Sequence, residues 1–399
     1  MTAAVRAFYE AHPYPSGNKP LCDGYHGRLL LSYIEQPQGI PQHLRILEAG
    51  CGRGVNLTAA AAKESEDQFI GIDINRLAIE EASARVIAEG ASNLSFQVAD
   101  LLDRETLPEK GRGFDLILSY GVLHHLSDPL KGLLQLTEYL APHGVIGLMV
   151  DGSYGRQPMD RYLQALEIIS PNRLTDSDRL SYAKALAHVA EEGVFRGNFW
   201  QGTASVDEVE FADRCLHVHE QSYDIDGLWA LLEAAGLRFI RWHETSDWSV
   251  AGITDDPELA TRLGELDPRE RYQVVERLVY RPKLTLVVAR KWDQPRKPPK
   301  REELTTTKYA LNPQLQASED ENSNLSWSLR GRPLPIRNNG EADRLITLAS
   351  ESGASFTYQD ILQRLDDEKP TEEEALELFT QMLDYESFYV PHEVGPGLT

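Results

Sequence analysis

Several side chains in this sequence can do chemistry, and their spacing limits what that chemistry is. His124 and His125 are adjacent, His217 and His219 stand two apart, and Tyr14 sits between prolines in an aromatic N-terminal stretch. His124, His125, His217 and Tyr14 are candidate general bases, because imidazole and phenol groups held near a nucleophile can take its proton. His217 and His219 share a face if the chain is extended, which permits metal ligation, but no third ligand follows at a diagnostic spacing, so no metal is expected. A polar loop with a hydrogen-bonded histidine is the plainer expectation. The three cysteines, Cys22, Cys51 and Cys215, are odd in number and far apart, which writes neither a disulfide framework nor a paired-cysteine zinc site.

A second group of residues is suited to binding rather than proton transfer. In Leu44 to Gly54, LRILEAGCGRG, an apolar run passes through Glu48 into Gly50, Gly52 and Gly54, and the helix-forming run Val55 to Ala62 follows. This pattern predicts a buried strand, a tight turn whose glycines admit positive φ, and a helix aimed at the turn's ligand. A second apolar run, Gln68 to Asp73, ends in an acid about 20 residues past the turn, where a carboxylate can take both hydroxyls of a ribose. A third run, Leu94 to Ala99, is followed by Asp100.

These groups need a scaffold, and the rest of the chain supplies one. Phe114 to Leu118 is a fourth apolar run, leading to Ser119 and on to the histidine pair; Asp128-Pro129 starts a helix reaching Leu140, and Pro142-His143-Gly144 turns into a fifth run, Val145 to Val150. Repeated strand and helix, with strands almost wholly apolar, predict a parallel sheet covered on both faces.

With five motifs in order, from Glu48-Ala49-Gly50-Cys51-Gly52-Arg53-Gly54 through Gly71-Ile72-Asp73, Ala99-Asp100-Leu101 and Phe114-Asp115-Leu116-Ile117 with Val122 to Leu126, to Leu140 to Val145, the chain resembles the class I S-adenosylmethionine-dependent methyltransferases over residues 44–150. The resemblance implies a doubly wound, mostly parallel seven-stranded α/β sheet with an antiparallel last strand. It implies S-adenosylmethionine as cofactor, with Gly50 and Gly52 at the methionine part, Glu48 orienting that end, Asp73 at the ribose hydroxyls, Asp100 at the adenine amino group with Leu101 packed nearby, Ser119 beside the sulfonium, and Gly54 and Ile74 also at the cofactor. A nicotinamide enzyme is the structural competitor. Its fingerprint spaces the second and third glycines three apart against a pyrophosphate, which Glu48 would repel.

Beyond residue 150 the pattern changes. Met159 to Ile168 and Leu174 to Ala190 are expected helices, Phe195 to Gln201 an aromatic loop, and Asp213 to Tyr223 a second polar cluster. Asp224 or Asp226 caps a helix over Gly227 to Ala235, Leu237 to Trp242 is the sixth strand, Pro257 to Val279 a helix, and Lys283 to Ala289 the seventh strand. The expected domains are an N-terminal lid or arm (1–43), a methyltransferase domain (44–291) with substrate insertions at 151–223 and 244–281, a linker (292–324), and a small α-rich, winged-helix-like module (325–399). In that module Glu341 to Ser350, Tyr358 to Leu365 and Glu372 to Tyr385 are helical by periodicity.

The chain has 399 residues, too many for one ordinary core, and carries 62 acidic against 40 basic residues, a formal charge of −22. That balance disfavours nucleic-acid and anionic-membrane partners. The start, MTAAVRAFYE, lacks the apolar core of a signal peptide, and a cytoplasmic setting is expected. The acceptor is then an O or N nucleophile of a small molecule, with a protein lysine as the alternative; a regulator that binds the cofactor without catalysis is the reading of another class. The C-terminal module is expected to dock, dimerise or regulate, and a homodimer through it is one possibility.

Overall fold

The computed structural model describes residues 3–12, 14, 17, 26–171, 178–197, 202–250, 253–319, 325–334, 339–364 and 371–395. The chain divides into two compact units, Met1–Pro20 with Leu44–Trp292, and Leu21–His43 with Asp293–Thr399. The N-terminal stretch expected as one arm is therefore split: its first helix α1 (Ala3–Ala11) belongs to the first unit, and α2 (Gly27–Leu31) to the second.

In the first unit the strands β1 (Arg45–Ala49), β2 (Gln68–Asp73), β3 (Leu94–Val98), β4 (Phe114–Tyr120), β5 (Leu140–Asp151), β6 (Leu237–Trp242) and β7 (Lys283–Arg290) form one sheet in the order β3-β2-β1-β4-β5-β7-β6. The first five run parallel, and β7 inserts antiparallel between β5 and β6. Strand β4 reads Phe-Asp-Leu-Ile-Leu-Ser-Tyr and is buried through its first six residues, as a central strand covered on both faces must be. Its neighbours β1 and β5 pair with it at Ile46↔Leu116 and Leu116↔Val145.

The crossover helices are set by their caps. Asn75 precedes α4 (Arg76–Glu89) and its side chain accepts from Leu77 and Ala78 N–H at 3.0 and 3.3 Å, while Gly90 closes the helix at φ 66. Asp128 caps α5 (Pro129–Tyr139) by accepting from Lys131 N–H at 2.9 Å, with Pro129 in the first turn. Helix α3 (Val55–Lys63) follows the glycine turn directly.

Some elements differ from their sequence pattern. Pro142-His143-Gly144 is no turn: β5 is continuous from Leu140, with a register shift opposite Phe114 to Leu116 and His143 at φ 56, so the extra residues form a bulge. Helix α6 runs Ser153–Ile169 with Pro158 inside it, and α7 spans Arg179–Glu192; residues 172–177, where that helix was expected to begin, lie outside the described residues. Phe195 is fully buried in a small core with Met159, Tyr162 and Phe211, and 198–201 lie outside the description. The polar cluster opens with a further helix, α8 (Glu208–Cys215), and Asp224 rather than Asp226 caps α9 (Ile225–Ala234). The long helix over 257–279 is two, α10 (Pro257–Glu265) and α11 (Pro268–Leu278), because Asp267 caps the second with Pro268 at its first position.

In the second unit, β8 (Lys308–Leu311) pairs antiparallel with β12 (Phe356–Thr357) and β13 (Phe388–Tyr389), and β9 (Leu315–Glu319), β10 (Leu325–Leu329) and β11 (Arg332–Pro333) form a separate sheet. Helices α12 (Asn339–Ser350), α13 (Tyr358–Leu362) and α14 (Glu372–Asp384) pack Ile346, Ile361, Phe379 and Met382 into a core of their own. The 292–324 stretch, linker-like by composition, thus carries two strands of this unit. His392 Nε2 contacts Ile34 O at 2.9 Å, tying α2's segment to the chain's end. Among the described residues no helix is long and apolar enough to cross a membrane.

Candidate active site

The residues expected at the cofactor gather at the carboxyl ends of four adjacent strands. After β1 the chain turns with Gly50, Gly52 and Gly54 at φ 84, 52 and 68. Gly50 N–H and Cys51 N–H both donate to Ile72 O, at 2.8 and 3.0 Å, which draws the turn over the end of β2. A Cβ on Gly50 would lie 2.2 Å from Val122 Cγ2, and one on Gly54 2.4 Å from Phe96 Cζ, so both positions need glycine for space as well as for φ. Gly52 N–H and Asn75 N–H donate to the two oxygens of Asp73, each at 2.8 Å. Burial pushes the Asp73 carboxyl above its ordinary range, and the amide donors, Asn75 first, pull it back.

Glu48 is buried inside β1, and Ile74 and Leu101 are buried just past β2 and β3. Asp100 is held by Leu102 N–H on Oδ1 at 2.9 Å and by its own N–H on Thr106 Oγ1 at 2.8 Å. Ser119 is fully buried in β4, and its hydroxyl has no hydrogen-bond partner among the described residues.

Beyond Ser119 a second, more strongly charged set of side chains is packed. The turn after β4 carries His124 and His125, β5 ends in Asp151, α6 supplies Arg156, α8 supplies Asp213, and the strand-like piece after α8 supplies His217 and Glu220. That piece is hung on the sheet by Gln221 N–H to His124 O at 2.9 Å and Tyr223 N–H to Asp151 O at 2.8 Å. Arg156 Nε meets Asp151 Oδ2 at 3.3 Å, and its Nη2 pairs with Glu220 Oε2. Burial, with neighbouring carboxylates adding, pushes Asp213 up to about 7 and Glu220 up to about 8; for Glu220 the adjacent Arg156 opposes the rise.

The histidines behave differently. His124, His125 and His217 form a run of rings with centroids 4.1 and 3.7 Å apart. Burial lowers all three, His217 to about 2, with nearby cations and imidazoles adding to the effect. They are neutral and hold a proton weakly. Burial, with Asp213 and Glu210 nearby adding, raises the Tyr14 phenol well above the ordinary range, so it keeps its proton. His219 turns aside, its Nε2 3.1 Å from Leu126 O.

Helix α1 covers this junction. Asn75 Nδ2–H donates to Tyr9 O at 2.7 Å, Tyr9 O–H donates to Asp213 Oδ1 at 3.4 Å, and the rings of Phe8 and Tyr9 lie 4.9 and 5.4 Å from His217. One helix is thereby joined to both halves of the site. Sequence reasoning missed Arg156 and Asp151 as site residues. Asp151 carried a signal, since like Asp73 it is an acid closing an apolar run; Arg156, in a helix of mixed composition, carried none.

Comparison with known proteins decides the family. A methyltransferase domain model matches residues 40–167. The uncharacterized protein syc1184_c of Synechococcus sp. is 30% identical over 298 residues, covering 70% of this chain and 69% of that protein. The chain belongs to the class I S-adenosylmethionine-dependent methyltransferases. The tRNA U34 carboxymethyltransferase of Azotobacter vinelandii is 37% identical over 131 residues, 30% of this methyltransferase and 38% of that protein, well under half of its length. The structure of PKMT2 from Rickettsia typhi in complex with AdoHcy matches the methyltransferase's fold with a TM-score of 0.69 at 17% identity, covering 96% of this chain and 78% of that one.

The donor half fits the cofactor on its own geometry: a turn in which a Cβ has no room, an amide-braced carboxylate at the end of β2, and an acid in the loop after β3. S-adenosylmethionine, the cofactor of this methyltransferase, supplies an activated methyl on a sulfonium. The glycine turn would lie against its amino-acid end, Asp73 would accept from its ribose hydroxyls, and Asp100 would accept from its adenine amino group.

Proposed function

We propose that this methyltransferase methylates an amine nitrogen of a small molecule. The observation that carries the proposal is the charge of the buried set beyond Ser119: Asp151, Asp213 and Glu220 stand against a single buried guanidinium, Arg156, with Lys283 at longer range. Such a set attracts an ammonium and repels an acidic acceptor.

An amine must shed a proton before its lone pair can attack a methyl group. Asp213 and Glu220, raised to about 7 and about 8, take that proton in their ionised form, whose share grows as pH rises through this range. Tyr9 and Phe8 would exclude water from the same space, and the rest of the rate enhancement is alignment. The formal charge of −22 speaks against tRNA, the substrate class in the name of the Azotobacter relative.

A lysine side chain of a protein presents the same ammonium and is the alternative acceptor. It is favoured by the second unit, which has its own core and is additional to the seven-stranded fold. Incubation with methyl-labelled S-adenosylmethionine and cell extract, split into small-molecule and macromolecular fractions, separates these acceptors. Label in the small-molecule fraction supports the proposal and label in protein transfers it to lysine. Cofactor binding with no transfer to either would make the protein a regulator.

A further inference from the structure

The sequence sets His217 beside His219, but the fold sets it beside His125, whose ring lies 3.7 Å away at 31°. Glu220 joins them: one ligand atom from each of His125, His217 and Glu220 lies within 4.8 Å of the others. A point shared by three such atoms is no more than about 2.8 Å from each, so closure by less than about 1 Å reaches the 2.0–2.2 Å of a metal bond to nitrogen or carboxylate oxygen.

Further features point to a cation there. His125 Nδ1 faces His219 O at 3.1 Å, so its proton is on that side and Nε2 keeps its lone pair; a backbone carbonyl behind a ligating histidine is the usual orienting partner. His217 is 7% exposed, and its Nε2, which carries the ring proton while Nδ1 takes the His219 N–H, is a buried polar atom with no hydrogen-bond partner among the described residues, so a ligand is wanted there once the tautomer shifts. Asp151, Asp160 and Asp213 supply further negative charge around Glu220, opposed by Arg156.

We propose that His125, His217 and Glu220 bind one divalent transition-metal ion of the zinc class. Two imidazole nitrogens and a carboxylate oxygen are the donors of zinc and cobalt, not the all-oxygen set of magnesium or calcium. Coordination moves one ring proton and alters two contacts. The His217 ring now takes the His219 N–H on Nδ1 at 3.1 Å, which places its proton on Nε2; on binding, the proton moves to Nδ1 and the His219 amide swings away. Glu220 exchanges part of its contact with Arg156 for the ion. Because the same carboxylates attract an acceptor ammonium, a bound ion competes with it and inhibits transfer. The site itself stands whether or not the acceptor is an amine.

The test is titration of the full metal-free chain with Co2+, read by visible absorption, followed by Zn2+ displacement and a Mg2+ control. One Co2+ per chain, displaced by Zn2+ and indifferent to Mg2+, is expected. His125→Gln and His217→Gln should each weaken it at least tenfold, and His219→Gln should leave it in place. S-adenosylhomocysteine binding by calorimetry certifies the fold of each variant. If His217→Gln fails that control, Glu220→Gln takes its place in the comparison. Absence of a saturable spectrum in the parent chain, or binding in the His125 and His217 variants as tight as in the parent, would overturn the site.

Discussion

Tyr9 and Asp213 stand 204 positions apart, yet the phenol of one donates to the carboxylate of the other at 3.4 Å. The bond joins the covering helix α1 to the carboxylate set, and it pulls Asp213 down against a larger rise from burial. In Tyr9→Phe that pull is lost and the Asp213 carboxyl moves further above about 7. Since the proton acceptor must be ionised, the rate of transfer should rise with pH through this range. The variant's rise should be displaced to higher pH. A profile that does not move would detach Asp213 from proton transfer.

Asp73 takes Gly52 N–H and Asn75 N–H while presenting its carboxylate at the end of β2. Asp73→Ala therefore removes the expected ribose contact and the brace of the glycine turn together. The loss of charge-assisted bonds of about 1.5–3 kcal/mol each corresponds to at least tenfold weaker S-adenosylhomocysteine binding by calorimetry. Asn75→Ala is expected to cost about 1 kcal/mol of stability as a lost helix cap, and to loosen Tyr9.

Gly50→Ala sets a methyl 2.2 Å from Val122 Cγ2 at a φ of 84. The clash and the left-handed backbone together should cost about 2–4 kcal/mol in urea unfolding and abolish cofactor binding. Adding Val122→Ala relieves the clash but not the backbone strain, so the double variant should recover part of the stability.

Arg156→Met leaves Asp151 and Glu220 buried without their guanidinium partner. Breaking a buried pair from one side costs about 3–5 kcal/mol. Both carboxyls lie above their ordinary ranges, so the native state holds their protons more tightly than the unfolded chain does, and it is relatively favoured at low pH. Denaturation midpoints measured at pH 5 and pH 8 should show a larger deficit at pH 8. A deficit independent of pH would mean that Arg156 acts through packing alone.

What was legible in the sequence was local. The turn after β1, Asp73 at the end of β2 and the helix start at Asp128-Pro129 each sit in one short window of sequence. The charged set beyond Ser119 was not legible, because His125, His217, Glu220, Asp151 and Arg156 come from distant segments, and their meeting depends on the piece 219–223 pairing beside β5. That histidine spacing suggested His217 with His219 shows the limit of a period argument: the backbone turned His219 toward Leu126 instead. The bulge in β5 was obscured for a similar reason, since Pro142-His143-Gly144 reads as a turn until Gly144 is seen packed against the backbone oxygens of Phe114 and Asp115.

The central claim is that the carboxylate set beyond Ser119 selects an amine. It is tested most directly by the chemical linkage of the transferred methyl. After incubation with methyl-labelled S-adenosylmethionine and extract, the small-molecule product should be retained on a cation exchanger, keep its label through mild alkali, and fall at least tenfold with Glu220→Gln. Label released as volatile methanol, or a product that passes the cation exchanger, would place the methyl on oxygen and contradict it.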